Sequence, residues 1–365
     1  MKNINFPRYY YVLISFLLGL IVSSCAPPAP IILEPLPTTT VLGIMEEDAD
    51  WYEVYFSDPS NTTAGSYQGG PDEALAEAID QARFQVDVAA YDFDLWSLRD
   101  ALKAAHQRGV SIRVVIESNH LDEDEVQDLI GIGIPVVDDQ NDGLMHNKFV
   151  IIDGVHVWLG SMNLTINGAY KNNNNLLYIR SSRLAENYTQ EFEEMFTRRF
   201  FGNNTVSDTP HQIIDLNGVK IETYFSPDDG TSQRIVELIQ GAKESINFLA
   251  FSFTSDSIAE AMLERAYDGV VVLGVFDESQ YYSNTGTEFD RLYEATLDVR
   301  LDGNPKFMHH KVIIIDEVIV ITGSYNFSAS AEKSNDENTL IIHSSNVALK
   351  YMAEFERIYA ESEEE

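Results

Sequence analysis

A single cysteine in 365 residues rules out an intramolecular disulfide, so the fold must rest on its core. Basic residues are also scarce: 24 Lys and Arg face 58 Asp and Glu, for a formal charge of −34. That balance repels polyanions at long range and leaves little for a broad phosphate-tracking surface. Part of the excess is a solvated tail, Glu354 to Glu365, and the acidic surface is read as suited to solubility rather than to a specific cation. No long membrane-spanning run is evident: Tyr9 to Val22 offers 14 apolar residues where a span needs about 20. The rest is ordinary, 44% apolar and 22% charged, with length enough for two domains or two fused halves.

The N-terminal stretch has the length of a secretory signal core. Lys2 and Arg8 precede it and Val22-Ser23-Ser24-Cys25 follows. That tetrapeptide resembles the lipobox of bacterial lipoproteins, which implies a signal segment 1–25 ending at a lipidated Cys25 that becomes the first residue of the mature chain, and a membrane anchor outside the cytoplasm. A plain cleaved signal and an uncleaved anchor are the competing readings. Residues 26–50 form a Pro-rich tether, and folded sequence is expected from Trp51.

Two copies of one string dominate the remainder. His146-Asn147-Lys148 and His309-His310-Lys311 each open a His-x-Lys-x4-Asp pattern closed by Asp153 and Asp316. Each is followed in the same register by Gly-Ser-x-Asn, as Gly160-Ser161-Met162-Asn163 and Gly323-Ser324-Tyr325-Asn326. One such string is a loose pattern; two, 163 residues apart, are not chance. The repeat extends outward. Val54-Tyr55-Phe56-Ser57 matches Thr223-Tyr224-Phe225-Ser226, helix 73–82 matches 233–242, and helix 95–108 matches 257–267. Apolar runs 149–152 and 312–315 read as buried strands with hairpin partners at 155–159 and 318–322. The expected fold is α/β: two α/β/α halves, 51–200 and 219–365, joined by a link at 201–218. Each has a mixed sheet flanked by helices, and a pseudo-twofold relation makes them share one active site. The sheets are expected to meet edge to edge.

Chemistry follows from the residue types. A histidine can attack phosphorus and form a phosphohistidine, and a second, protonated histidine can serve the leaving oxygen. Lys148, Lys311, Asn163 and Asn326 would hold the nonbridging oxygens, doing what a metal does elsewhere. No carboxylate or His/Cys cluster with metal-ligand spacing accompanies the motifs, so neither metal nor other cofactor is expected. Ser161 and Ser324 are read as substrate-binding, with a plain turn role as the alternative.

The paired motif resembles the phospholipase D superfamily from Val54 to Tyr359, nearest its minimal branch of small nucleases and cardiolipin hydrolase-like enzymes, which share the opening Tyr224-Phe225-Ser226-Pro227. The resemblance implies a structural role for Asp153 and Asp316 and favours His146 as nucleophile. It also implies that a glutamate 28 residues after a histidine orients it. Glu337 occupies that place after His309 and Asn174 the place after His146, so Glu337 is assigned to His309 as the charged acid and Asn174 to His146 as the neutral nucleophile. The cationic phosphohistidine argues partly the other way. Because both motifs lie in one chain, a monomer is expected.

Other groups are set aside. His310 should face away from its neighbour His309, for packing or solvent. His106, His120, His156, His211 and His343 fall in no constellation. Asp94 is read as a cap on the helix after it, Asp92 beside it as a rim residue, and Tyr281, Tyr282 and Phe289 as entrance or core. The expected activity is hydrolysis of a phospholipid headgroup ester by a membrane-tethered enzyme, with transfer to an alcohol as a variant; the alternative is an exported nuclease acting on nucleic acid.

Overall fold

Strand order in both halves follows one plan. The computed structural model describes residues 51–61, 63–140 and 142–362; the expected signal segment, Cys25 and the tether lie outside them. The first sheet is built from β1 (Tyr52–Phe56), β2 (Gln85–Ala90), β3 (Ser111–Ile116), β4 (Val136–Asp138), β5 (Lys148–Ile152), β6 (His156–Gly160) and β7 (Asn175–Arg180), in the order β1-β7-β6-β5-β2-β3-β4. The second contains β8 (Ile213–Leu216), β9 (Val219–Ser226), β10 (Ser245–Ala250), β11 (Val271–Phe276), β12 (Asp298–Leu301), β13 (Lys311–Ile315), β14 (Ile319–Gly323) and β15 (Glu337–His343), in the order β12-β11-β10-β13-β14-β15-β9-β8. Without β8 and read from the opposite edge, the second order coincides with the first, and in each sheet only three strands at one edge, β2-β3-β4 and β10-β11-β12, pair in parallel.

Each sheet's outer face carries helices with an apolar stripe. These are α1 (Pro71–Asp80), α2 (Trp96–Gln107) and α3 (Asp124–Gly131) on the first sheet. Short α4 (Ile166–Tyr170) and long α5 (Ser182–Glu193) follow in that half. The second sheet is covered by α6 (Thr231–Gln240) and α7 (Asp256–Tyr267), with small helices α8 (Glu278–Ser283) and α9 (Phe289–Glu294); α10 (Ala329–Lys333) and α11 (Ser345–Glu361) complete the chain.

The expectation of edge-to-edge sheets is overturned. Along β5, Phe149 and Ile151 point inward while Val150 and Ile152 point to the outer helices, and β13 repeats this with Val312 and Ile314 against Ile313 and Ile315. Strands apolar on both faces need cover on both sides. The inner faces therefore share one core with α5 and α11, giving helix, sheet, helix, sheet, helix in layers. The predicted link is also corrected: Ile213–Leu216 within it forms the edge strand β8, with Ile214 buried. Among the described residues no helix is long and apolar enough to cross a membrane.

Candidate active site

Both histidines sit just before a central strand, at the same end of each sheet, and the backbone of the other half holds each there. The His146 amide donates to Asp336 O at 3.0 Å and the His309 amide to Asn173 O at 2.9 Å. Two isolated bridges, Met145 with Asp336 and Asn173 with Met308, carry the same pseudo-symmetry. Lys148 and Lys311, the first residues of β5 and β13, return their ammonium groups to the carbonyls of His146 (2.6 Å) and His309 (2.8 Å). Four groups from two halves thus occupy one buried cleft.

The orienting partners are crossed, which corrects the pairing expected from spacing. His146 Nδ1 lies 2.8 Å from Glu337 Oε2, so the glutamate of the second half serves the histidine of the first. His309 Nδ1 meets Asn174 Oδ1 at 3.0 Å and Ser161 O at 3.1 Å. Spacing along the chain suggested the reverse because it counts within a half, whereas the twofold places the start of β15 opposite His146.

Ser161 and Ser324 are corrected as well. Ser324 Oγ donates to Glu337 at 2.6 Å and Ser161 Oγ to Asn174 Oδ1 at 2.9 Å, while each accepts a backbone N–H from Asn338 or Asn175. With its proton committed, neither hydroxyl can donate to a phosphate; both brace the residues that orient the histidines. Asn163 and Asn326 differ: each has a buried Oδ1 without a hydrogen-bond partner, and since that oxygen only accepts, it is the amide N–H of each that could donate to a phosphate.

Burial governs the electrostatics. It drives His146 and His309 well below the usual imidazole range, helped by both lysines. Lys148 is pushed down to about 7 by burial, against the pull of Glu337, and Lys311 falls well below its ordinary value, with Lys148 adding to the effect. Glu337 is pushed up to about 8 by burial, opposed by Lys148 and the Ser324 hydrogen bond. Burial in the cleft thus disfavours charge, and an anion beside the lysines would favour their ammonium forms.

Asp153 and Asp316 lie at the far ends of their strands. Asp153 accepts the amides of Arg83, Phe84 and Gln85 at 2.7–3.0 Å, and Asp316 those of Lys243, Glu244 and Ser245. Each pins the start of the neighbouring strand.

Tyr91 and Phe251 were missed as site residues. Their rings pack on His146 (4.9 Å) and His309 (4.4 Å) and lie under Lys148 and Lys311. Their matched positions at the ends of β2 and β10 were the available signal.

Of the groups set aside, His310 is fully buried in the shared core between Asn175 and Glu354. Phe289 is core, whereas Tyr282 is 70% exposed. Asp94 does not cap α2; it accepts the Ile166 amide at the opening of α4. His120 does join a constellation, with Asp92 and Glu123, their ligand atoms all within 4.8 Å, the one such group that could hold a cation among the described residues.

Comparison with known proteins agrees with this geometry. The family described as cardiolipin synthase, PLD-like domain matches residues 75–196 and again 235–359. A phospholipase D of Rickettsia prowazekii is 34% identical over 167 residues, 45% of this chain and 80% of the relative. The mitochondrial cardiolipin hydrolase of Xenopus laevis is 35% identical over 134 residues, 37% of this chain and 63% of that protein. The phosphatidylserine synthase of Haemophilus influenzae, at 14% identity, shares the fold with a TM-score of 0.62 over 80% of this chain and 87% of its own. Matched once in each half, the chain belongs to the phospholipase D superfamily of phosphodiesterases.

Proposed function

We propose that this protein hydrolyses the headgroup ester of a phospholipid through a covalent phosphohistidine, without a metal. The observation carrying this is the crossed cleft, where two imidazoles, each held and oriented from the opposite half, stand with the two lysines that reach back to their carbonyls. A bound phosphodiester brings one negative charge, which favours ammonium at Lys148 and Lys311, and they in turn favour the Glu337 carboxylate. A carboxylate only accepts, so it keeps the His146 proton on Nδ1 and leaves the Nε2 lone pair for phosphorus.

His309 takes up a proton as the bound anion offsets its burial; His146 Nε2 attacks phosphorus, and the bond to the headgroup oxygen breaks as His309 gives that oxygen the proton. Glu337 offsets the positive charge of the phosphoimidazole. His309 has only neutral acceptors at Nδ1, so its imidazolium is readily relieved of a proton. Water then loses a proton to His309, attacks phosphorus and expels neutral His146. An alcohol in place of water gives transfer instead. The nucleophile is thus the histidine the sequence favoured, on different grounds: a carboxylate supports the cation formed there.

Lipid is preferred over nucleic acid because basic residues are few in a chain of formal charge −34. Lipidation at Cys25, on the extracytoplasmic side of a membrane, would hold the enzyme beside such a substrate. The test is incubation with chelator, phosphatidylcholine and a primary alcohol, with single-stranded DNA in parallel. A phosphatidyl-alcohol product is expected. Cleavage of DNA alone, or loss of activity on chelation, overturns the reading.

A further inference from the structure

Strands β2 and β3 run parallel and pair Ala90 with Ile116, so the loops leaving them emerge side by side. Asp92 lies on the first loop, His120 ends the 3₁₀ turn Ser118–His120 on the second, and Glu123 stands just before α3. His120 Nδ1 is 3.3 Å from Asp92 Oδ1 and 3.6 Å from Glu123 Oε1, and one donor atom from each residue lies within 4.8 Å of the others. Oxygen and nitrogen donors about 2.0–2.2 Å from one metal ion stand roughly 3.0–3.6 Å apart, so the two imidazole separations match donors that share an ion.

Other bonding does not account for the trio. His120 Nδ1 is buried without a hydrogen-bond partner. Glu123 holds the N-cap position of α3, yet its side chain accepts no helix amide. Among the described residues neither carboxylate meets a lysine or arginine in an ion pair. The duplicated catalytic set does not include it either. Ala250 pairs with Phe276 in the same register, so Ser252 and Gln280 replace Asp92 and His120 in the second half, where Ser252 Oγ accepts an N–H from Asn284 at 3.1 Å. All three residues are half-buried and open to an ion from solvent.

The trio nevertheless borders the active site. The Tyr91 ring is shared between it and the cleft, 5.0 Å from the His120 ring and 4.9 Å from the His146 ring. We propose that Asp92, His120 and Glu123 form a divalent-cation site at the rim, and that the ion assists binding of the anionic substrate without joining the chemistry. An imidazole nitrogen beside two carboxylates selects a transition ion such as zinc over magnesium or calcium. Three protein donors leave the rest of the shell to water. In a chain of formal charge −34, an ion held there puts positive charge within roughly a Debye length, about 8–10 Å, of the phosphodiester and favours its arrival. Bond making and breaking stay with His146 and His309.

The full chain, stripped with chelator and dialysed, is titrated with Zn2+ in a calorimeter. Rates are then measured on bis(p-nitrophenyl) phosphate, an anionic diester that presupposes neither lipid nor nucleic acid as the natural substrate. One equivalent should bind, at least about tenfold more tightly than Mg2+. Loading should lower KM by about three- to tenfold at unchanged kcat. His120→Ala, and Glu123→Gln as the isosteric variant, should each weaken binding at least about tenfold and abolish the KM response. His211→Ala, which removes a histidine paired with Glu186, should keep both. No one-equivalent event in wild type, or its persistence in both trio variants, overturns the site. A kcat that collapses on stripping and returns with Zn2+ overturns the placement of the ion outside the chemistry.

Discussion

A carboxylate faces one catalytic histidine and an amide the other, so the two imidazoles are chemically unequal in an otherwise matched site. Glu337→Gln keeps the shape of the His146 contact but removes its charge and can present an N–H to Nδ1, favouring the wrong tautomer. By analogy with other histidine-carboxylate pairs, turnover should fall by roughly two to four orders of magnitude. An effect below tenfold on the phosphodiesterase rate would remove Glu337 from the mechanism. The lysines of the site make a pH prediction. Burial pushes Lys148 down to about 7, while Glu337 holds it up. Its ammonium is therefore present below about pH 7 and lost above, so kcat/KM, which reports the free enzyme, should decline as pH rises through that region. A kcat/KM that stays flat or rises through that region would contradict this account.

At the level of elements, the glycines of the two Gly-Ser-x-Asn strings have a steric explanation. A Cβ on Gly323 (φ +147) would lie 2.2 Å from Asn338 O, and one on Gly160 (φ +153) 2.3 Å from Asn175 O. Gly323→Ala must push β14 from β15 and carry Ser324 away from Glu337. It should cost about 2–3 kcal/mol in denaturant titration and lower turnover as well. Asp153 presents a contrast. Its three backbone hydrogen bonds lie at the end of β5 remote from the chemistry. Asp153→Ala should cost about 1–3 kcal/mol by the same titration, discounted for its exposure, yet leave the rate per folded molecule near wild type. Loss of that rate in a folded variant would place Asp153 in the catalytic apparatus.

Across the whole molecule, the core between the sheets belongs to both halves, and each histidine is oriented from the half that does not carry it. All the required contacts lie within one chain. His146→Ala and His309→Ala should each lower turnover by several orders of magnitude, and mixing the two variants should restore nothing. Recovery on mixing, measured as hydrolysis rate against each variant alone, would show that chains exchange half-sites and that the monomer reading is wrong. At this scale the sequence was least legible. The face-to-face packing of the sheets was missed because alternation along a strand shows burial on both sides but not what covers it. Strand β8 was missed because four residues within a polar segment give too short a pattern, and only pairing with β9 makes them a strand.

The sequence by itself determined the duplicated elements and the reactive inventory. Periodicity and side-chain chemistry are local properties, so His146, Lys148, Asn163 and their counterparts could be named with the fold class before any coordinate. Only the tertiary structure decided which group serves which. The Glu337–His146 contact, the bracing role of Ser161 and Ser324, and the meeting of Asn304 with the Lys171 carbonyl depend on distances across the pseudo-twofold. No spacing along the chain encodes those distances, because the residues that meet there come from opposite halves.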